Sequence, residues 1–313
     1  MHTSHRSTVH HGGAPAQPAG VCPAARPGQG RRGRLAGPPT VALPYCDRVT
    51  LRERHNVKLS GLPDGTPMVF AHGFGCDQSM WRLVAPAFEA DHHVVLFDHA
   101  GAGGAHPDAY DAERHATLDG YADDVVDLLD ELALGPVVFA GHSVSATIGI
   151  LAAARRPDLF ERLVLVGPSP RYIDDDGYRG GFSAEEIDEL LATMETNYLG
   201  WSAVMAPAIM GNPDRPELGS ELTELFCRTD PKVAHRFARA TFLSDNRADL
   251  AAVRTPSLVV QCREDVIAPV EVGRYVHENL AGSEFALIDA VGHCPNLSAP
   301  DELVGAMREY LTV

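Results

Sequence analysis

Cysteine is scarce in this chain of 313 residues. The six, at Cys22, Cys46, Cys76, Cys227, Cys262 and Cys294, are scattered, and no C-x-x-C pair occurs. That spacing excludes a small disulfide-stapled secreted scaffold and reads as reduced thiols in a cytoplasm. Positive charge is also short: 26 Lys and Arg face 42 Asp and Glu, for a net charge of −16. Phosphate backbones and anionic lipid surfaces are bound by clustered Lys and Arg, so neither nucleic acid nor membrane is an expected partner. The run Val137 to Ala154 carries no Asp, Glu, Lys or Arg, but Gly141-His142-Ser143 interrupts it. It predicts a buried strand, a sharp turn and a helix rather than a membrane span. No repeat of fixed period occurs. Hydrophobic residues at 45% and charged residues at 22% exclude a disordered, collagen-like or coiled-coil chain.

Residues 1–46 contrast with the rest: seven Gly, seven Pro, five Arg, four His and no acidic residue. Such a segment buries too little apolar surface to offset chain entropy, and disorder is expected. No apolar core of signal-peptide length appears in it. Without its five Arg, the remaining body has 21 basic and 42 acidic residues, a charge of −21.

From residue 47 onward, short β-rich runs alternate with helical stretches, the rhythm of βαβ units and a mostly parallel sheet flanked by helices. Strands are predicted at Met68 to Ala71, Val94 to Asp98, Val137 to Ala140, Leu163 to Val166, Leu258 to Cys262 and Phe285 to Ile288. Helices are predicted at Tyr121 to Leu132, Val144 to Arg155, Val270 to Asn279 and Glu302 to Leu311. Some ninety residues separate Val166 from Leu258, far more than an ordinary crossover uses. Within them, Ala184 to Tyr198, Trp201 to Met210, Glu217 to Cys227 and Pro231 to Leu243 read as four helices, with Gly200, Gly211-Asn212-Pro213 and Thr229-Asp230-Pro231 as breakers. A helical lid over about residues 170–250 is the expectation.

Gly141-His142-Ser143-Val144-Ser145 follows an apolar strand and opens a helix, the setting of a G-x-S-x-G nucleophile elbow, with Ser145 in place of the last Gly. A serine hydroxyl is a weak nucleophile at neutral pH, so it needs a base and a group that orients the base. In the order Ser, acid, His, the acid follows a late strand and the histidine a later one. Asp265, with Glu264 as rival, and His293 in Gly292-His293-Cys294 meet both conditions. Negative charge building on a carbonyl oxygen calls for preorganised N–H donors. Val144, after the nucleophile, and Phe74, in the His72-Gly73-Phe74-Gly75 loop, are the candidates. The acidic series Asp119, Asp123, Asp124, Asp127, Asp130 and Glu131 has helical spacing and reads as a solvated face; no metal site is expected.

Four segments together resemble one group of α/β-hydrolases. They are His72-Gly73-Phe74-Gly75-Cys76-Asp77-Gln78-Ser79-Met80-Trp81, Gly141 to Ser145, Pro168 to Phe182 with its Gly180-Gly181-Phe182, and Gly292-His293-Cys294-Pro295. The group is the RsbQ-like one, which includes the plant strigolactone and karrikin receptors, and the likeness spans about residues 50–311. Asn197-Tyr198 with Trp201, and Thr241 to Arg247, resemble its four-helix lid. The resemblance implies a triad of Ser143, His293 and Asp265, with Phe74 and Val144 as oxyanion donors. It also implies an apolar pocket under the lid, for which Phe74, Phe182, Tyr198, Trp201 and Phe242 are the candidate lining. Asn296 departs from the plant receptors.

The function expected is a cofactor-independent serine hydrolase of small hydrophobic esters or lactones, working through an acyl-enzyme. The alternative is a ligand-sensing regulator with slow hydrolysis, for which the bacterial members imply a PAS-domain phosphatase partner and the plant members an F-box partner. A lyase or cofactor-free haloperoxidase would share the triad.

Overall fold

The computed structural model describes residues 49–312. The Gly/Pro/Arg-rich segment expected to be disordered lies outside them. A single helical turn, α1 (Leu51–Arg54), opens the described part; Thr50 and Glu53 cap it reciprocally. Then come β1 (Lys58–Gly61), β2 (Thr66–Ala71), β3 (His92–Leu96), α2 (Leu118–Leu132), β4 (Val137–His142), α3 (Val144–Arg155) and β5 (Phe160–Val166). Four helices follow before the next strand: α4 (Ala184–Thr196), α5 (Tyr198–Met210), α6 (Pro216–Arg228) and α7 (Pro231–Phe242). The chain ends through β6 (Ser257–Glu264), α8 (Val270–Asn279), β7 (Ser283–Val291), α9 (Pro295–Ser298) and α10 (Pro300–Leu311).

The strands form one seven-stranded sheet in the order β1-β3-β2-β4-β5-β6-β7. β1 runs antiparallel to β3 and the other pairs are parallel. The six predicted strands are thus joined by a seventh. Lys58-Leu59-Ser60-Gly61 gave no signal because an edge strand, half-exposed throughout, has no apolar run to display.

Side chains alternate between the two faces. Val69, Val95, Val137, Phe139, Leu163, Leu165 and Val259 pack on one face beneath α2, α3 and α8. Met68, Phe70, Val94, Val138, Val164 and Val260 pack on the other with Trp81, Phe88, Leu303, Met307 and Tyr310. β4 is buried at every position because neighbours and helices cover both its edges and both its faces.

The inserted helices have a core of their own, in which Ile187, Leu191, Trp201, Met210, Leu222, Phe226 and Phe242 meet Cys76, Ile267 and Cys294 from the sheet's C-terminal edge. Gly200 does not break a helix here. The break falls at Asn197, whose side chain accepts from the Gly200 N–H at 3.0 Å and caps α5, so that Tyr198 begins α5 instead of ending α4. α5 and α6 approach closely at Gly219, where an added Cβ would lie 3.1 Å from Pro207 Cα. On α2 the five aspartates of the acidic series are paired with Arg114, Arg155 and Arg156, Glu131 accepts from the Leu51 and Arg52 N–H groups, and Asp124 is buried against His115 at 2.7 Å.

Candidate active site

The turn from β4 into α3 is as tight as backbone permits. Ser143 has φ +58°, a left-handed conformation that costs a non-glycine residue of order 1–3 kcal/mol. A Cβ on Gly141 would sit 2.4 Å from the Ser145 carbonyl oxygen, so only glycine fits there. The Ser143 N–H donates to the Val166 carbonyl at 2.8 Å, which fastens the turn to the neighbouring strand. Ser145 Oγ donates to the His72 carbonyl and accepts from His99 Nε2 at 2.7 Å. The serine standing where the elbow pattern has glycine therefore links the elbow to the loop after β2. Burial, and the histidines around it, hold the His99 pKa well below its ordinary value, and the ring is neutral.

Ser143, Asp265 and His293 converge at the C-terminal ends of β4, β6 and β7. His293 Nδ1 lies 2.7 Å from Asp265 Oδ2 and donates to it. His293 Nε2 lies 2.7 Å from Ser143 Oγ and accepts from it. The other Asp265 oxygen accepts from the N–H groups of Ile267 and Ala268 at 2.8 and 3.0 Å. Burial alone would raise the Asp265 pKa, but the adjoining imidazole and those hydrogen bonds together hold it below the usual carboxylate range. The carboxylate is ionised and fixed in place. Glu264, the rival acid, ends β6 with an exposed side chain.

His293 is held from two further directions. His142 Nε2 donates to the His293 carbonyl at 2.7 Å, and burial drives the His142 pKa down to about 3, so it does so as a neutral ring. The His293 N–H donates to the Ile209 carbonyl at the end of α5 at 2.9 Å. Gly292, at φ +89°, leaves no room for a Cβ, which would lie 1.9 Å from the Met210 carbonyl oxygen. Asn212 Nδ2 bridges the Met210 and Val291 carbonyls at 2.6 and 2.9 Å.

Val144 opens α3, so its N–H has no acceptor within the helix. Opposite, His72 is fully buried. Its Nε2 accepts from the His99 N–H at 3.1 Å, so its Nδ1 carries the proton and donates to the Gly73 carbonyl at 2.9 Å. That bond shapes the loop presenting Phe74. The Phe74 ring lies among Phe226, Trp201, Phe242 and Phe237, at centroid distances of 5.6–6.3 Å. Gly75, at φ +68°, allows the approach, since a Cβ there would touch the Phe226 ring at 2.5 Å.

A cavity opens above Ser143 and His293. Phe74, Trp201 and Phe242 line it, together with Tyr172, Phe226, Thr241 and further apolar and thiol side chains, and no Lys or Arg is among them. Phe182 lies instead in an adjoining outer groove between α4 and α5, and Tyr198, stacked on Trp201 at 5.9 Å, lines a separate groove with Pro231 and His235. Burial pushes the pKa values of Tyr172, Cys76 and Cys294 up, so these groups stay protonated. The lining contributed by Cys76, Tyr172, Leu190, Met205, Ile209, Leu222, Ile267 and Cys294 was not anticipated, because a buried residue of a helix or loop reads the same in sequence whether it faces a core or a cavity. Among the described residues no group of His, Cys, Asp and Glu forms a metal cluster, and no helix is long and apolar enough to cross a membrane.

A strand-loop-helix elbow at the C-terminal edge of a seven-stranded sheet, with an acid and a histidine just after later strands, defines the α/β-hydrolase class. The family model described as "Alpha/beta hydrolase family" matches residues 68–306, and the chain belongs to that family. Within it, this hydrolase is related to plant receptors. It is 40% identical over 262 residues to the karrikin insensitive 2 receptor CA of Petunia hybrida, covering 83% of this chain and 97% of that one. It is likewise 40% identical over 259 residues to a strigolactone esterase of Pisum sativum, covering 82% and 96%. Among solved structures, a hydrolase from Oleispira antarctica superposes with a TM-score of 0.81 at 37% identity, covering 84% of this chain and 96% of the other.

Proposed function

We propose that this protein hydrolyses small, largely apolar esters or lactones through a Ser143–His293–Asp265 triad and an acyl-enzyme. The observation that carries the reading is the unbroken hydrogen-bonded chain Asp265 Oδ2, His293 Nδ1, His293 Nε2, Ser143 Oγ, with both links at 2.7 Å. His293 takes the Ser143 proton as Oγ attacks the carbonyl carbon, and the imidazolium formed is stabilised by ionised Asp265. The Val144 and Phe74 N–H groups receive the developing oxyanion. His293 then returns its proton to the leaving oxygen, and water, deprotonated by the same ring, releases the acid. For a lactone, the leaving oxygen stays tethered and the product is a hydroxy acid. The inserted helices act as the lid, and their apolar lining selects neutral substrates.

Ser143→Ala tests the reading: turnover of a p-nitrophenyl ester should drop by about 10⁴-fold or more while the melting temperature holds. Hydrolysis at the wild-type rate would defeat it. A sensing role is favoured by one finding, the receptor named among the 40%-identical relatives. In that case turnover is very slow and a bound lactone shifts the melting temperature, with the lid as the surface a signalling partner reads.

A further inference from the structure

The inserted helices carry six serine and threonine side chains, and five of them spend their hydroxyl proton on their own helix. Thr193, Thr196, Ser202, Ser220 and Thr223 each donate to the carbonyl four residues earlier, at 2.8–3.1 Å. That is the default for a hydroxyl inside a helix. Thr241, in the last turn of α7, is the sixth and does not follow it. Its Oγ1 is buried and finds no partner among the described residues, although the residue is only 1% exposed. Of the six, Thr241 is the one that lines the cavity above Ser143 and His293. Trp201, on the same cavity, presents a second partnerless buried donor, Nε1. Two unpaired donors on an apolar wall are costly unless a ligand pairs with them.

We infer that Thr241 is a specificity determinant whose hydroxyl donates to a substrate oxygen other than the scissile carbonyl. The ester or lactone taken up here therefore bears a second oxygen function, a ketone, ether or hydroxyl. The absence of Lys and Arg from the lining makes that function neutral rather than a carboxylate. The inference rests on the hydrolase reading for its substrate, but not for its hydrogen bond. A site built to pair with a substrate oxygen discriminates against the analogue lacking it, because its own donor is then stranded.

The test uses matched p-nitrophenyl esters, pentanoate against 4-oxopentanoate and butanoate against methoxyacetate. Each is assayed with the wild-type protein, Thr241→Val and Thr241→Ser. In Thr241→Val the ratio of kcat/KM for the oxygenated over the all-carbon ester should fall by about fivefold to tenfold in at least one pair, through KM. Thr241→Ser should restore it. Comparing ratios cancels the intrinsic reactivity of each ester. The ligand-free Thr241→Val protein should melt no lower than wild type, since it loses a stranded hydroxyl of the same shape. Unchanged ratios in both pairs would overturn the inference, and so would a melting temperature several degrees lower, which would assign the hydroxyl to the fold. If the wild-type protein hydrolyses none of the four, the hydrolase reading fails by itself. The hydroxyl is then read from binding: ethyl 4-oxopentanoate should raise the melting temperature more than ethyl pentanoate in wild type and not in Thr241→Val, and equal shifts in both proteins would overturn it.

Discussion

The C-terminal edge of the sheet and the four inserted helices face each other across one cavity, and they are held by different forces. At the sheet edge, each candidate reacting group sits within a few residues of a laddered strand and is fixed by directional hydrogen bonds. Ser143 N–H is bound to Val166, and Asp265 accepts two backbone N–H groups. The helices offer few such bonds toward the cavity. Their cohesion is aromatic and aliphatic: Trp201 stacks on Tyr198 and Phe226, and Phe226 and Phe242 flank Phe74. α5 has no charged residue at all and leaves Leu199 and Val204 at 59% and 71% exposure. The groups proposed to react are held by hydrogen bonds, and the wall proposed to select the substrate is built on packing, which tolerates exchange of one apolar side chain for another.

If that division holds, substitutions on the two sides separate kinetically. The largest effect is expected from Asp265→Asn, which keeps the shape but misorients His293: kcat should fall about 10⁴-fold with little change in KM, in steady-state ester hydrolysis. Gly292→Ala strikes the seam between the two regions. Its Cβ would overlap the Met210 carbonyl, so kcat and melting temperature should fall together, whereas loss of kcat alone would show that α5 does not brace the histidine loop. On the helical side, Phe226→Leu removes the stack on Trp201 and should raise KM about fivefold, the scale of one aromatic pair, with kcat within about twofold.

A last effect, on stability rather than turnover, is expected in acid. The folded pKa of His142 is about 3, below its ordinary 6.5. The unfolded chain therefore binds a proton that the folded one refuses, and stability present above pH 6.5 is lost as pH falls toward 3. Depressed Asp265 acts in the same direction at lower pH. Urea denaturation at pH 7 and pH 5 should show His142→Gln losing about 2 kcal/mol less than wild type over that interval. An equal loss would place the acid sensitivity elsewhere.

Most of the sheet could be read from sequence because a strand covered on both faces must be apolar throughout, as Val137 to Ala140 is. The edge strand Lys58–Gly61 could not be, since half of it meets water. The elbow, the acid and the histidine were legible because chemistry dictates their residue types and chain order. The cavity wall was only partly so. Phe74, Trp201 and Phe242 line it, but aromaticity alone does not say which side of a helix faces in, and Phe182 and Tyr198 point elsewhere. In sequence Gly200 reads as the breaker, whereas the break is made by the Asn197 side chain capping the Gly200 N–H, a bond that composition does not reveal. Thr241 carried a faint signal, a hydroxyl on the apolar face of an amphipathic helix, which stands out only beside the five that bond their own helices.

The Ile209 carbonyl that receives the His293 amide has a mechanical consequence. With Asn212 stapling Met210 to Val291, the tail of α5 and the imidazole's loop form one lever arm. An outward swing of that helix would drag the imidazole from its alcohol, while a guest that wedges the helix steady keeps the engine in gear. On the proposed hydrolase reading, the seating of that helix and the poise of the imidazole are coupled through these bonds alone.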